Sequence, residues 1–325
     1  MSDTREAAGV LGGLPGMAVK KKPHISVTQV DMLAKCGEQY FRRYVMGEKT
    51  PPGIALIAGR GLHGSSERQL KHKVETGGQL PTVEAAQDWA ADAFHASLGE
   101  QGIVLDEEQE KLGVEKVTGM ALDATVTMAR GYLEAYTPTL NPVPGKVEWS
   151  WRLETDWTHD VEGVVDVVHM PRPDVIAISD TKSKIAKAPN KTEADESFQL
   201  SMYALAHKAH GGILPLAVSL DFVIARQQKA GGYKPDPLRL VSLRTAEDME
   251  PTVARLKRAV DVINAGAFVP AKPTDWACSA KWCGYFSTCK FAQGFKHFGA
   301  SPETARAARE ASARKLMGLA EPAAE

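Results

Sequence analysis

Two aspartates in the sequence lie inside segments that otherwise have the composition of buried β-strands. Asp166 shares one predicted strand face with Val164 and Val168, and Asp180 shares a face with two isoleucines and Lys182. Aspartate is uncommon in strands. An ionised acid among valines must be paired, protonated or bound to a metal ion. Both positions are therefore candidates for a site that does chemistry.

The types of these residues indicate what that chemistry would be. Two carboxylates brought together from adjacent strands repel each other, and a divalent cation with oxygen preference, Mg²⁺ or Mn²⁺, stabilises both in the ionised form. Such an ion also lowers the pKa of a bound water. Lys182 points to the same side as Asp180, where its ammonium can orient that water and stabilise charge on a phosphate. The set predicts phosphodiester hydrolysis, although the Asp-x-Lys triplet alone is more typical of an ordinary ion-pair cluster.

Three further polar residues have spacings that suit a site. His63 follows Gly59 at an expected helix start, and Gln199 and Tyr203 are i, i+4 neighbours on one predicted helix face. Each has a simpler explanation when taken alone. A single histidine is more often a satisfied surface or core residue, and a single tyrosine more often only packs.

The elements that must position these residues follow from the hydrophobic periodicity. A capped helix is predicted from Ser26 to Val45, with Cys36 on it, and further helices continue to about Tyr136. From Lys146 the pattern changes to three strands, a helix, two strands and a last helix. The predicted helices cover 26–45, 54–75, 83–98, 115–136, 194–210 and 246–266, and the predicted strands cover 146–155, 160–170, 174–183, 217–226 and 238–245. This order predicts an α/β core with a helical N-terminal region.

Taken in order, four motifs resemble a known family. Gly59 to His63 gives G-x-x-x-H, Gly163 to Asp166 gives G-x-x-D, Asp180 to Lys182 gives D-x-K, and Gln199 to Tyr203 gives Q-x-x-x-Y. The set resembles the RecB-type exonuclease branch of the PD-(D/E)XK nuclease superfamily. The resemblance covers about residues 26–292 and implies a mixed β-sheet core flanked by helices.

The resemblance also implies a role for each motif residue. It implies metal binding by His63, Asp166, Asp180 and the backbone carbonyl of Thr181, and it makes Lys182 the catalytic cation. Two residues would lie on a helix that borders the site and touches DNA. These are Gln199 and Tyr203, which complete the predicted catalytic set.

The four cysteines form a second candidate site. Cys278, Cys283 and Cys289 lie close together in C-x4-C-x5-C, and Cys36 is far upstream. In a chain without a secretory signal this clustering favours a metal over disulfides, and thiolates suit zinc or an iron-sulfur cluster. The pattern resembles AddB-type and CRISPR-adaptation nucleases, in which four cysteines hold a structural 4Fe-4S cluster that joins the two ends of the domain. Their usual spacing is C-x2-C-x5-C, so zinc stays an alternative here.

Composition limits the class of protein. The chain has 325 residues, of which 43% are apolar and 24% charged, and its formal net charge is -1. It contains no run of eighteen apolar residues and no secretory signal pattern, so a cytoplasmic protein of a bacterial cell or phage-infected host, with no membrane contact, is expected. The predicted division is a flexible tail at 1–22, a nuclease domain at 23–300 and a C-terminal tail or short helix at 301–325. Within the domain, we expect a helical region at 63–140, a catalytic core at 145–265 and a cysteine clasp of Cys36 with 278–289.

The functional expectation is a metal-dependent DNA nuclease. By resemblance it would be an exonuclease or a single-strand-preferring nuclease that acts on single strands or duplex ends in phage or bacterial recombination and repair. The sequence contains no G-x-x-x-x-G-K-[ST] loop, so we expect either a stand-alone enzyme or a subunit that works with a separate helicase or recombination protein. The alternatives are a catalytically inactive DNA-binding or assembly module of the same fold, and a zinc-clasped enzyme that acts on RNA or another phosphodiester.

Overall fold

The computed structural model describes residues 22–292, and apart from Lys22 the two predicted tails lie outside the described residues. The helices are α1 (Val27–Lys35), α2 (Gly37–Tyr40), α3 (Ile54–Glu75), α4 (Val83–Gln101), α5 (Glu107–Leu112), α6 (Val114–Ala135), α7 (Phe198–Gly211) and α8 (Met249–Asn264), with a π-helix at Phe41–Val45. The strands are β1 (His24–Ile25), β2 (Pro142–Leu153), β3 (Asp160–Arg172), β4 (Val175–Ile185), β5 (Ala217–Gln227) and β6 (Tyr233–Ser242).

The strands form one mixed six-stranded sheet in which β1-β3-β4-β5-β6 pair in this order, and β2 also pairs with β3, outside this path. The pairs β2–β3, β3–β4 and β5–β6 are antiparallel, whereas β1–β3 and β4–β5 are parallel. The parallel β4–β5 pair requires a crossover, and α7 supplies it. The predicted fold class, a mixed sheet flanked by helices, is confirmed.

Alternation along β5 explains why helices cover both faces of the sheet. Leu220, Phe222 and Ile224 pack into a core with α7 and α8, whereas Val223 and Ala225 pack into a second core with α3 and α6. A strand that is apolar on both faces must be covered on both sides. A third cluster holds α3, α4 and α6 together as the helical N-terminal region.

The predicted helix from Ser26 to Val45 is wrong in one respect. Ser26 caps α1 in a capping box as expected, but the helix stops at Cys36, whose backbone is extended at φ −162° and ψ 109°. The amide of Gly37 then donates a hydrogen bond of 2.8 Å to the carbonyl of Val269. A Cβ at Gly37 would lie 2.6 Å from the backbone of Phe268. The close approach of this distant segment breaks the helix, so Cys36 lies in the break and not on a helix.

The other predicted elements occur in the structure with shifts at their ends: α3 has the predicted bounds, whereas β6, predicted over 238–245, lies at Tyr233–Ser242. His63 lies in the middle of α3 and not at its start. The two-residue strand β1 and the short helix α5 were not predicted, because each is too short to show a periodicity. Among the described helices, none is long and apolar enough to cross a membrane.

Candidate active site

The site lies where β3 and β4 run side by side. Their register pairs Val167 with Ser179 and Val168 with Ile178, which brings Asp166 next to the segment that follows Ser179. The amide of Thr181 donates a hydrogen bond of 2.7 Å to Oδ2 of Asp166. The two predicted acids therefore come from adjacent antiparallel strands, as the sequence suggested.

Helix α3 carries His63 to this pair of strands, and two of its glycines permit close packing on the neighbouring helices. A Cβ at Gly61 would lie 2.6 Å from Thr125, and one at Gly64 would lie 2.6 Å from Ala93. The helix therefore packs tightly on α6 and α4. Nδ1 of His63 lies 3.3 Å from Oδ2 of Asp166.

The remaining predicted residues form a second connected group. Nζ of Lys182 lies 2.6 Å from Oδ2 of Asp180 and donates a hydrogen bond of 2.8 Å to Oε1 of Gln199. The side-chain Nε2 of Gln199 donates a hydrogen bond of 2.6 Å to the hydroxyl of Tyr203, and that hydroxyl lies 3.3 Å from Oδ1 of Asp180. Helix α7 thus fixes the position of the lysine, and the structure brings all seven predicted residues into one region.

A further carboxylate at the site was not predicted. Glu148 of β2 lies at the register position opposite Asp166, between the pairs Val147–Val167 and Trp149–Val165. Donor atoms of His63, Glu148 and Asp166 all lie within 4.8 Å of one another. No motif marks Glu148, and the only signal in the sequence is a single acid inside an aromatic strand segment.

The histidine and Asp166 stabilise each other's charged forms. Burial opposes protonation of His63, but the charge of Asp166 outweighs it and raises the pKa of His63 to about 9. Burial likewise acts to raise the pKa of Asp166, whereas His63 and the amide of Thr181 lower it, and the net direction is downward. In the metal-free protein this pair is therefore ionised at neutral pH.

The other two acids have raised pKa values. Burial, with the nearby charge of Asp166, raises the pKa of Asp180 to about 6 and that of Glu148 to about 7. The charge of Asp180 overcomes the effect of burial on Lys182 and raises the pKa of its ammonium. Three carboxylates thus lie in one place, and burial together with their mutual repulsion disfavours the ionised form of two of them, Asp180 and Glu148.

The donor set fits a hard divalent cation. Two carboxylates and an imidazole converge within bonding range of a single ion. Asp180 is 1% exposed, and its Oδ2 accepts no aligned hydrogen bond although it lies at ion-pair distance from Lys182. The group of three converging donors contains Glu148 in place of the predicted Asp180 and Thr181, which stay predicted ligands.

A comparison with protein-family models decides the family. Residues 24–290 match the model of the PD-(D/E)XK nuclease superfamily, which is most of the chain. The chain belongs to the PD-(D/E)XK nuclease superfamily. Membership in this superfamily implies a phosphodiester hydrolase that uses divalent metal ions, which agrees with the two acids and the lysine that lie side by side within β3 and β4.

The other comparisons give distant likenesses. A protein from Eubacterium rectale named as a candidate exonuclease is 13% identical, with 83% of this chain and 93% of that chain covered and a TM-score of 0.44. The protein SSO0001 is 11% identical, with 80% of this chain and 94% of that chain covered and a TM-score of 0.30. No curated protein matches the chain.

The four cysteines of this PD-(D/E)XK protein lie around one largely enclosed, mainly apolar cavity, Cys36 from the break after α1 and the other three from the C-terminal loop. None of them is in a disulfide. Burial, and then the neighbouring thiols, raise the pKa of Cys278. The amide of Ala271 donates a hydrogen bond of 3.3 Å to Sγ of Cys36. Thiols are ligands for soft metals, so this donor set is of the type that binds zinc or an iron-sulfur cluster.

Proposed function

We propose that this protein is a metal-dependent DNA nuclease whose catalytic centre is formed by His63, Asp166, Asp180 and Lys182. The observation that carries the proposal is the placement of Asp166 and Asp180 on adjacent strands, with Lys182 2.6 Å from Asp180 and His63 3.3 Å from Asp166. Superfamily membership gives the reaction class. The deoxyribonuclease activity and the residue roles are the proposal.

The residues that would hold Mg²⁺ or Mn²⁺ are those whose donors converge. His63, Glu148 and Asp166 meet within 4.8 Å of one another, and Asp180 and the carbonyl of Thr181 are the further ligands that the motif implies. A bound divalent ion supplies an activated water and neutralises charge on the phosphate. His63 must lose its proton before it can bind, because only the neutral imidazole is a ligand.

Lys182 supplies the fixed positive charge in this proposal. Asp180 and Gln199 both hold its ammonium, so its side chain loses little freedom when a phosphate arrives. Its raised pKa keeps it protonated through neutral pH. A charged donor fixed beside the scissile phosphate stabilises the charge that develops in the transition state. Tyr203 and Gln199 position this lysine from α7.

The biological setting of the proposal comes from the family resemblance. We place the enzyme in phage or bacterial DNA recombination or repair, acting on single strands or duplex ends. It would act as an exonuclease or single-strand-preferring nuclease, either alone or with a separate helicase or recombination protein.

The test is a time course of degradation of DNA labelled at the 5′ or 3′ end. Single- and double-stranded substrates are incubated with Mg²⁺ or Mn²⁺ and either wild-type protein or Asp180→Asn. We expect wild type to degrade DNA only with metal, and Asp180→Asn to lose about 100-fold or more of the rate, the scale of losing one preorganised electrostatic group.

The matched control is Asp174→Asn, the same chemical change at an exposed aspartate in the turn between β3 and β4. Its φ of 61° suits asparagine as well as aspartate, so it should fold and cut as wild type does. Equal rates for the two variants would contradict the assignment of Asp180. DNA binding by wild type without cleavage in either metal would favour the inactive binding module.

We further propose that the cysteine cavity holds a 4Fe-4S cluster with a structural role. The support is the convergence of Cys36, Cys278, Cys283 and Cys289 on one cavity and the amide hydrogen bond to Cys36. A cluster there would connect segments that are far apart in the chain, and its binding energy would add to the free energy of unfolding.

Anaerobic purification tests the cluster. We expect brown protein with about four iron and four sulfide per chain, and we expect Cys283→Ala to lose the colour and to unfold at a lower temperature. Colourless wild-type protein that contains zinc in stoichiometric amount would contradict the cluster and favour a zinc site.

A further inference from the structure

The loop that carries the three C-terminal cysteines presents two large aromatic side chains to solvent. Trp276 and Trp282 are 62% and 57% exposed, although an indole is among the most costly side chains to leave in water. Their rings meet edge to face, with centroids 5.6 Å apart and an interplanar angle of 85°. Each ring therefore keeps part of its surface open, and the cysteine ligation discussed above does not need either of them.

Positive charges flank both indoles. Nζ of Lys35 lies 5.2 Å from the centroid of Trp276, and Nζ of Lys281 lies 5.8 Å from that of Trp282. A groove beside Trp282 is lined by two further cations, Arg43 and Arg60. The acid that faces the groove is Asp106, whose Oδ2 is 4.0 Å from Lys281. Cations outnumber acids along this groove.

The groove leads to the active site along one helix. It is lined by Ile54, Leu56 and Arg60, which belong to the first part of α3, and His63 follows Arg60 by three residues on the same helix. Positions three apart are neighbours on a helix surface. The distance along the axis from Ile54 to His63 is about 13 Å, at 1.5 Å per residue. A strand lying in the groove could thus reach the catalytic centre.

The loop is held in place by contacts to the N-terminal segment. The hydroxyl of Tyr285 donates a hydrogen bond of 2.6 Å to the carbonyl of Glu48, and the guanidinium of Arg42 lies 4.9 Å from the ring of Tyr285. A Cβ at Gly284 would lie 2.6 Å from Thr50. Because the loop is fixed, little conformational entropy would be lost when its surface binds a partner.

We infer that Trp276 and Trp282 form a stacking surface for the bases of single-stranded DNA, whose phosphates contact Arg43, Arg60 and Lys281. Exposed indoles between cations match a chain of flat bases joined by phosphates, because stacking and charge neutralisation are the two terms of single-strand binding. An apolar protein partner would not favour the flanking lysines and arginines. The inference rests on the proposed function and names its substrate as a single strand.

Fluorescence anisotropy with two labelled oligonucleotides in EDTA tests this inference on the full chain. One probe is oligo-dT, and the other has the same length and phosphates but abasic sugars. We expect Trp276→Ala/Trp282→Ala to weaken binding of oligo-dT by about 10- to 100-fold, since stacking contributes about 1–3 kcal/mol per base. Binding of the abasic strand should change by less than about 2-fold, because it depends on phosphate contacts.

Two further variants keep the result interpretable if the alanine variant folds poorly. Trp276→Tyr/Trp282→Tyr retains flat rings and should recover most of the oligo-dT affinity. Lys281→Ala should reduce the salt dependence of binding to both probes, whereas Lys229→Ala, in the exposed turn between β5 and β6, should not.

Equal losses on both probes, or unchanged oligo-dT affinity, would overturn the stacking surface. Cleavage by wild type, measured separately with Mg²⁺, distinguishes the two proposals. Wild type that binds oligo-dT through the tryptophans but does not cut DNA contradicts the proposed nuclease function alone. Wild type that cuts DNA while the tryptophan variants bind both probes normally contradicts this inference alone.

Discussion

At the scale of single residues, Glu148 is the residue at the site that the sequence did not predict. Its φ of 50° lies in the left-handed region, which costs a residue other than glycine about 1–2 kcal/mol. It also lies directly opposite Asp166 on the neighbouring strand, a position where like charges are destabilising. Strained backbone and facing carboxylates are both tolerated at sites that bind a cation. Glu148 is therefore best explained as a metal ligand.

This explanation predicts that Glu148→Gln stabilises the metal-free protein and weakens metal binding. In EDTA the variant should unfold at a higher temperature than wild type, because one of two facing carboxylates is gone. With Mn²⁺, isothermal titration calorimetry should show affinity lower by about 10-fold or more, the scale at which metal sites respond to such losses.

The control is Glu134→Gln, an exposed glutamate of α6 that pairs with Arg130. It should leave both quantities nearly unchanged. A Glu148→Gln protein that binds Mn²⁺ as tightly as wild type would show that this carboxylate is not a ligand.

The motif residues could be proposed from the sequence because their order and spacing were sufficient to match the motifs of the family. His63, Asp166, Asp180 and Lys182 each lie at the position in a motif that the family resemblance requires. Glu148 could not be found in this way, since its role depends on the register of β2 against β3 and on one unusual backbone angle. Neither is visible in residue types alone.

At the scale of elements, a chain of buried polar side chains joins four strands of the sheet. His169 lies 3.1 Å from Ser179, Ser179 is 2.8 Å from Ser219, and Ser219 donates to Asp221 at 3.0 Å. Arg239 of β6 donates two hydrogen bonds of 2.7 Å to the same Asp221. The network links β3 through β6, and these include the two strands that carry Asp166 and Asp180.

The network predicts a loss of stability in acid through His169. Burial, with the charge of Arg239, lowers the pKa of His169 from 6.5 to about 4. As the pH falls, the unfolded chain takes up a proton before the folded chain does. The contribution of neutral His169 to the free energy of unfolding is thus complete above pH 6.5. It decreases as the pH falls to about 4, by at most about 3 kcal/mol in total. Urea unfolding of His169→Gln should show a flatter dependence on pH over this range.

Exposed His95 of α4 provides the control as His95→Gln. Its curve should follow that of wild type. Parallel curves for wild type and His169→Gln between pH 4 and 6.5 would mean that His169 does not titrate as the buried environment requires.

Elements were predictable where local periodicity and tertiary packing agree. The long helix α3 and the strands of the core satisfy both. The break at Cys36 was not predictable, because the residues from Ser26 to Val45 have continuous helical character. It is imposed by the backbone of Phe268 and Val269 against Gly37. A contact across so many residues overrides local propensity.

At the scale of the whole molecule, the two ends of the described chain close on each other. Tyr285 bonds to the backbone of Glu48, the amide of Gly37 to Val269, and that of Ala271 to Cys36. Closing a loop of this length costs chain entropy. A metal held by the four cysteines would therefore add most to the free energy of unfolding because it joins these ends. The same closure places the exposed Trp282 near the first turns of α3. The metal site at the four cysteines stays a prediction of the sequence, and the sequence did not predict the exposed surface that this closure creates.

The central claim concerns one lysine, and a matched pair of variants tests it most directly. Lys182 and Lys184 lie two residues apart on β4. Lys182 contacts Asp180 and Gln199 at the site, whereas Lys184 pairs with Glu193 at 2.9 Å. We measure Mg²⁺-dependent degradation of end-labelled single-stranded DNA by Lys182→Ala and Lys184→Ala at equal concentration. The account predicts a loss of about 100-fold or more for Lys182→Ala and less than about 5-fold for Lys184→Ala. Equal rates for the two variants would contradict it.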